Sequence, residues 1–178
     1  MLAFFAIILG IVFFDQITKY LAVIFLKNDT PFVVIEGVLQ FEYKENPGAA
    51  MGILQNDRWV FMTVSVIAII AMIIYMIKYR PQSKVAYVAI AFMTGGGIAN
   101  MIDRTILGYV IDFIDFCAFP KIWNFVFNVA DSFVCVGAGL LMYYIVCETV
   151  KEAKAEKKEK ALESTADNTN EETNDDVQ

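Results

Sequence analysis

Four long apolar stretches alternate with polar connections along the chain. A helix needs about 20 mostly apolar residues to cross the ~30 Å hydrocarbon core of a bilayer. The stretches that approach or exceed this length are Leu2–Leu26, Trp59–Ile77, Val85–Ile102 and Phe125–Cys147. The first is interrupted by Asp15, Gln16, Thr18 and Lys19. It can span a membrane only if those polar side chains find partners inside the protein. The pattern predicts an all-α membrane protein with four transmembrane helices.

The remaining segments carry two further signals. Residues 30–44 mix β-branched and aromatic residues around Gly37, which is typical of a β-hairpin. After Val150 the chain becomes a run of Lys and Glu followed by an end rich in Asp, Asn and Thr, too poor in apolar residues to form a core. We therefore expect an integral membrane domain over residues 1–150 and a charged, disordered cytoplasmic tail over residues 151–178, in which a frayed helix runs into disorder.

Composition narrows the chemistry by exclusion. Of the 178 residues, 58% are hydrophobic, a share too high for a soluble domain of this size. Histidine is absent from the sequence, which excludes Ser-His and Cys-His nucleophile pairs and most zinc sites. The three cysteines, Cys117, Cys135 and Cys147, form no CxxC pair and are predicted to be structural. No metal, organic cofactor or nucleic-acid partner is predicted.

The distribution of basic residues predicts the orientation in the membrane. Lys78, Arg80 and Lys84 crowd the short connection between the second and third apolar stretches, and five lysines follow the fourth. By the positive-inside rule both of these segments are cytoplasmic. Both termini then lie inside, and residues 27–58 and 103–124 face outward.

With this orientation, polar residues from separate segments converge on the outer leaflet. They are Asp15, Lys19, Asn100, Asp103, Arg104, Asp112, Asp115, Asn128 and Asp131. A charge at the bilayer centre costs about 2.5–3.5 kcal/mol on insertion scales, so such residues are functional candidates. Structural roles are open as well. Asp15 and Lys19 are spaced for a local i,i+4 ion pair. At the end of the third stretch, Asn100, Asp103 and Arg104 share one helix face, on which they can form a structural hydrogen-bond network.

A pair of carboxylates is the candidate for chemistry. Two carboxylates in a low-dielectric site cannot both ionise easily, so they share a proton, and one member can activate water while the other protonates a carbonyl oxygen. Asp131 is one candidate, with Asn128 three residues earlier on the same helix face. Spacing alone leaves both Asp112 and Asp115 open as its partner. The sequence offers Asp115 no supporting amide of the kind that Asn128 provides for Asp131.

Four ordered motifs make the sequence resemble bacterial lipoprotein signal peptidase, signal peptidase II, up to about residue 147. They are FDQITKYLA (Phe14–Ala22), NPGAAMG (Asn46–Gly52), NMIDRTILGYVIDFIDF (Asn100–Phe116) and FNVADS (Phe127–Ser132). Two departures are mild: Ala99 replaces a glycine that usually precedes the asparagine, and Met51 replaces an aromatic residue in the loop.

The resemblance implies that Asp112 and Asp131 are the catalytic carboxylates, rather than Asp115. It also implies a set of residues that hold the site together and engage the substrate. They are Asp15, Lys19, Asn46, Gly48, Asn100, Asp103, Arg104, Asn128 and Ala130.

The implied activity is that of a membrane-embedded aspartic endopeptidase. It would cleave the signal peptide of a prolipoprotein before a diacylglyceryl-modified cysteine, at the outer leaflet of the cytoplasmic membrane. The implied fold adds to the four helices a small extracytoplasmic β-platform and an amphipathic loop element. Residues 109–125 would lie over the site like a lid. The expected partners are prolipoproteins and membrane lipids, and the expected state is a monomer.

Two other classes of protein fit part of the pattern. One is a small four-span, proton-coupled transporter of the multidrug kind, in which Asp15 would bind protons. It leaves the long outer connections unexplained, since such transporters have little chain outside the membrane. The other is a membrane scaffold without catalytic activity, whose polar clusters only hold helices together.

Overall fold

The computed structural model describes residues 1–48, 58–81, 83–118 and 125–175. Within these ranges the elements are α1 (Leu2–Leu26), β1 (Phe32–Ile35), β2 (Leu39–Asn46), α2 (Arg58–Tyr79), α3 (Lys84–Ile106), β3 (Val110–Phe116), β4 (Val126–Phe127) and α4 (Val129–Asp175). All four of these helices are long and apolar enough to cross a membrane. This confirms the architecture that the hydrophobic pattern predicts.

The fourth helix begins later than the hydrophobic pattern predicts. The apolar stretch starts at Phe125, but α4 starts at Val129. Val126 and Phe127 instead form a short strand that pairs antiparallel with β3. Aromatic and β-branched residues suit a strand as well as a membrane span, so hydropathy alone does not separate the two.

The four strands form one antiparallel sheet in the order β1-β2-β3-β4. The hairpin predicted around Gly37 is present, and Gly37 has a φ of +68°, a conformation that costs a glycine little. A bulge in the pairing of β2 and β3 lies between Phe41 and Lys44. Because β3 is paired on both sides, Asp112 is placed on an interior strand rather than on a free loop.

The helices and the sheet pack through two apolar clusters. Phe4, Ile8, Met76, Ile90 and Ala91 join α1, α2 and α3 at one end of the helices. At the other end of α1, Ala22 packs with Ile111 and Phe113 of β3. The sheet is therefore seated on the C-terminal end of α1, close to the polar residues that interrupt this helix.

Two glycines bring α3 and α4 close together. A Cβ at Gly96 would collide with the carbonyl oxygen of Ala130 in the first turn of α4, and one at Gly137 would lie 2.8 Å from the carbonyl oxygen of Ala89. Close backbone approach at small residues is a common way for membrane helices to associate. It places the start of α4 directly against the polar end of α3.

The segment expected to form a lid is only partly described. Its residues 110–116 form strand β3, in which Val110, Ile111, Asp112 and Phe113 are buried. The expectation of a lid is therefore wrong for residues 110–116, because their backbone is paired within the sheet. Residues 119–124 lie outside the described residues, as do Met51 and residues 49–52 of the second motif.

The chain divides into two compact units, Met1–Leu141 and Met142–Gln178. The first contains the sheet, three of the helices and the start of α4. The second is helical as far as Asp175, and the disorder expected at the end of the tail stays a prediction. Lys and Glu spaced three or four residues apart favour a helix, as in the Lys151–Glu148 pair at 2.8 Å. A functional boundary at residue 150 stays a prediction.

Candidate active site

Lys19 of α1 lies at the centre of a buried polar network. Its Nζ contacts Asp15 Oδ2, Asp103 Oδ2 and Asn100 Oδ1, each at 2.8 Å. The Lys19 side chain is only 2% exposed and Asp15 is fully buried. An ammonium group has three N–H donors, and here each has an acceptor. The local ion pair expected from the spacing of Asp15 and Lys19 is present, but it also ties α1 to α3.

The Asp103 side chain accepts two further hydrogen bonds, one from α1 and one from the sheet. Gln16 Nε2 donates to Asp103 Oδ1 at 2.8 Å, and the backbone N–H of Ile111 donates to Asp103 Oδ2 at 3.2 Å. Sequence reasoning assigned no role to Gln16. Its position beside Asp15 inside an apolar stretch was the available signal, because a polar residue there needs a buried partner.

Asn100 connects Lys19 to α4. Its Oδ1 accepts from Lys19 and, at 3.1 Å, from Asn128 Nδ2, while its own Nδ2 donates to Asp131 Oδ1 at 2.7 Å. Among the described residues, the side-chain hydrogen bonds of Asn100 are therefore with other members of the predicted site. Asn100 and Asp103 form the network considered for the end of α3.

The start of α4 is a reciprocal capping arrangement built from Asn128 and Asp131. The Asp131 backbone N–H donates to Asn128 Oδ1 at 2.9 Å, and the Asn128 backbone N–H donates to Asp131 Oδ2 at 3.3 Å. This is the logic of a capping box, in which two residues three apart satisfy each other's free N–H groups. The helix start therefore fixes the rotamer of Asp131.

Asp112 of β3 is held by two amides. Asn128 Nδ2 donates to Asp112 Oδ1 at 2.7 Å, and Asn46 Nδ2 donates to Asp112 Oδ2 at 2.9 Å. The Asp112 side chain is only 1% exposed. Burial, followed by the charge of Asp131, raises the pKa of Asp112 to about 7, and the hydrogen bonds from Asn46 and Asn128 oppose the shift.

The chain that follows β2 is fixed beside Asp112 by a short turn. The Gly48 backbone N–H donates to Asn46 Oδ1 at 3.1 Å, and Arg104 of α3 donates to the Gly48 carbonyl oxygen at 3.2 Å. Arg104 also donates to the carbonyl oxygen of Asn100 at 3.3 Å. It is thus placed inside the site, between β2 and α3, and is partly buried.

Ala130 joins the site through its backbone. Its N–H donates to Asp15 Oδ1 at 2.7 Å, and its carbonyl oxygen faces Gly96. Both carboxylate oxygens of Asp15 are therefore occupied, one by Ala130 and one by Lys19. This leaves Asp15 poorly suited to the exchange of protons with water that a transporter would require.

Asp115 is held in a separate group. Gln40 Nε2 donates to Asp115 Oδ2 at 2.7 Å, and the Cys117 thiol lies 3.4 Å from the same oxygen. The expectation that Asp115 has no supporting amide is therefore wrong. Gln40 lies on the neighbouring strand, and sequence spacing does not reveal a partner across a sheet.

The arrangement brings two carboxylates together through one residue. Asn128 donates to Asp112 with its side chain and to Asp131 with its backbone. No group of three His, Cys, Asp or Glu residues that could hold a metal ion occurs in the part of the chain that the structure describes. Two carboxylates with unequal surroundings are suited to acid-base chemistry on a bound water.

Comparison with known proteins gives a consistent result. The family model described as signal peptidase (SPase) II matches residues 7–147. A lipoprotein signal peptidase of Caldanaerobacter subterraneus subsp. tengcongensis is 45% identical over 140 residues, which cover 79% of this chain and 93% of that protein. One of Halalkalibacterium halodurans is 36% identical over 159 residues, which cover 89% and 99%. A solved bacterial membrane enzyme superposes with a TM-score of 0.76 at 33% identity, covering 84% of this chain and 90% of that one.

Proposed function

The chain belongs to the signal peptidase II family, and on that basis we propose that it is an aspartic endopeptidase that cleaves diacylglyceryl-modified prolipoproteins before the lipidated cysteine. As a family member it is a protease of lipoprotein processing and a multi-pass membrane protein. The observation that carries the aspartic mechanism is the contact of Asn128 with both Asp112 and Asp131.

We assign the two carboxylates different roles. Asp131 starts as the carboxylate that takes a proton from water, and Asp112 starts protonated and donates to the carbonyl oxygen of the scissile peptide. A pKa of Asp112 near 7 supports this assignment, because the group then carries a proton over much of the neutral range. Asn100 Nδ2 and the Asn128 backbone N–H both donate to the Asp131 carboxylate, and hydrogen bonds of this kind favour an ionised acid.

The proposed reaction needs only these two groups and one water. Water adds to the carbonyl carbon while its proton passes to Asp131 and the Asp112 proton passes to the carbonyl oxygen. The tetrahedral intermediate then breaks its C–N bond. The amide nitrogen receives the proton from Asp131, and Asp112 recovers a proton from a hydroxyl group of the intermediate. The pair ends as it began, ready for another turnover.

The location of the site is part of the proposal. The basic residues around the connection between α2 and α3, and those in the part of α4 beyond Val150, support cytoplasmic termini. The polar residues of α1, at the end of α3 and at the start of α4 then support a site near the outer leaflet. A substrate with lipid chains would reach it from the bilayer. Membrane lipids are then partners, and one chain contains every proposed site residue, so a monomer suffices.

Cleavage should depend on pH with a maximum below about pH 7. As pH rises past about 7, Asp112 loses the proton that it donates and kcat/KM falls, whereas in acid the second carboxylate becomes protonated and kcat/KM falls again. Purified protein with a fluorogenic lipopeptide measures this profile. Asn46→Ala removes a hydrogen-bond donor that favours the ionised form of Asp112. The alkaline limb of this variant's pH profile should therefore move to higher pH. A rate that is flat from acid to alkaline pH would contradict a shared proton.

Replacing Asp115 should have little effect on cleavage. Asp115→Asn keeps the size of a side chain whose partners, Gln40 and Cys117, are separate from Asn128. We expect kcat/KM within about twofold of wild type, as for a substitution outside the critical contacts. The lipopeptide assay measures kcat/KM for this variant, and we expect the pH profile to be the same as that of wild type. Loss of all activity would mean that Asp131 has been paired with the wrong aspartate.

A further inference from the structure

The first strand of the sheet is apolar and exposed on both faces. Phe32 pairs with Phe41 and Val33 pairs with Gln40, so the side chains of these two neighbours point to opposite faces. The exposed fractions of the four residues of β1 are 62% for Phe32, 54% for Val33, 45% for Val34 and 54% for Ile35. An apolar strand that is open on both sides requires an apolar environment on both sides.

The position of β1 at the edge of the sheet makes this exposure unusual. Edge strands of proteins in water are normally protected by charged residues, by proline or by a covering element. Residues 32–35 contain no charge and no proline, and β1 pairs only with β2 within the described chain. A contiguous exposed apolar surface of this kind marks an interaction site.

The apolar surface of β1 continues that of α1. Only residues 27–31 separate the end of α1 from Phe32, so the strand begins within about 20 Å of the end of a membrane span. Phe32 stacks on Phe41 with ring centroids 6.5 Å apart, and Phe41 packs against the cluster that contains Ala22 of α1. The last turns of α1 expose Leu21, Ile24 and Phe25, which face lipid when this helix spans a bilayer.

We propose that β1 is a membrane anchor, inserted into the interfacial layer of the bilayer beside the C-terminal end of α1. The occupant of its surface is lipid rather than a peptide. A peptide laid on the sheet would cover one face, whereas lipid surrounds the strand and covers Phe32 and Val33 together. Continuity with the lipid-facing surface of α1 supports the same occupant.

The anchor has a consequence that rests on the proposed function. β1 is linked through β2 to β3, which carries Asp112. A sheet that is attached to the membrane at both α1 and β1 keeps Asp112 at a fixed depth. The scissile peptide also lies at a fixed depth, because the lipid chains of the substrate anchor it in the bilayer. The anchor would therefore affect capture of bilayer-embedded substrate more than the chemical step.

A depth measurement tests the anchor without any cleavage. Spin labels are attached to Phe32→Cys and Val33→Cys, one on each face, in the full chain with its native cysteines replaced by serine and reconstituted into phospholipid vesicles without substrate. Phe13→Cys on the exposed surface of α1 serves as the lipid reference and Glu152→Cys as the water reference. Both labels on β1 should collide with oxygen as the lipid reference does and be protected from a water-soluble nickel complex.

Two results would overturn the anchor. One is access of the nickel complex to either label at the level of the water reference. The other is protection that arises only after a substrate lipopeptide is added, which would make β1 a peptide-docking strand. Because the measurement uses no turnover, its outcome is independent of whether the chain proves to be a peptidase.

A second variant pair tests the link to catalysis. Val34→Asp places a charge in the anchor and should raise KM for a vesicle-embedded lipopeptide about tenfold, with kcat within about twofold. Thr30→Asp adds the same charge at an exposed position before the strand and should leave both constants near wild type. Equal KM values for the two variants would overturn the role in substrate capture, and an inactive wild-type chain would instead count against the proposed function.

Discussion

Replacing Asp112 or Asp131 by asparagine should abolish cleavage. In the proposed mechanism each substitution removes the group that either donates or accepts the proton, and a positioned acid or base contributes about 10²–10⁴ in rate. We expect kcat for a fluorogenic lipopeptide to fall by at least about 10³-fold in each variant, equivalent to ~4 kcal/mol of activation free energy. The double variant should lose little more than either single one, because the two groups act as a unit.

The control for this result must separate chemistry from folding. Asparagine at position 112 would place an N–H donor against the amides of Asn46 and Asn128, which donate to this carboxylate. Thermal unfolding in detergent micelles should therefore be recorded for each variant. Asp115→Asn is the matched control, because it makes the same substitution on the same strand as Asp112. If a folded Asp112→Asn or Asp131→Asn protein cleaves at the wild-type rate, the aspartic mechanism is wrong.

Lys19→Met should strongly destabilise the protein. Lys19 is the counter-ion of two carboxylates that are almost fully buried, those of Asp15 and Asp103. Methionine fills a similar volume but leaves both acids without their cation. Breaking a buried ion pair in this way costs about 3–5 kcal/mol. The free energy of unfolding in detergent micelles measures the loss, and cleavage should fall with it because Asn100 also loses its donor.

Lys27→Met provides the matched control for that experiment. Lys27 forms a salt bridge of 3.2 Å with Glu45, but both side chains are more than 40% exposed. An exposed ion pair contributes little to the free energy of unfolding, so this variant should be close to wild type in stability. Adding Asp15→Asn and Asp103→Asn to Lys19→Met should recover part of the lost stability by removing the uncompensated charges. Equal effects of the two lysine substitutions would show that the buried network contributes nothing special.

Much of the fold could be predicted because hydropathy acts over long segments. A run of about 20 apolar residues has few alternatives to a membrane span, and the turn at Gly37 is marked by a residue type that tolerates positive φ. The start of α4 was missed by four residues. The signal there is the pair Asn128 and Asp131, whose spacing of three is that of a capping box.

The contacts of the candidate site follow a different rule. Local spacing indicated that Asp15 pairs with Lys19 and that Asn128 supports Asp131, and both contacts are present. Partners far apart in sequence were invisible, such as Gln16 with Asp103, 87 residues away, and Asn46 with Asp112, 66 residues away. These contacts depend on helix rotation and strand register, which one sequence without a structure does not specify.

The contact of Gln40 with Asp115 is an example of a long-range contact that the sequence did not reveal. Asp115 was judged to lack an amide because none lies nearby on its own segment, yet Gln40 reaches it from the adjacent strand. The choice of Asp112 over Asp115 came from the family resemblance, and the structure describes distinct surroundings for the two. Of these two aspartates, only Asp112 forms a hydrogen bond with Asn128 among the described residues. The variant pair described above is what decides between them.

Asn128 caps α4 with its side-chain oxygen and donates to Asp112 and Asn100 with its side-chain nitrogen. Aspartate or serine would preserve the cap without the amide donor, and glutamine would supply the amide at the wrong length for the cap. Each of these three substitutions therefore loses one contact of Asn128 while keeping another. The start of α4 and the position of Asp112 are therefore coupled through one side chain.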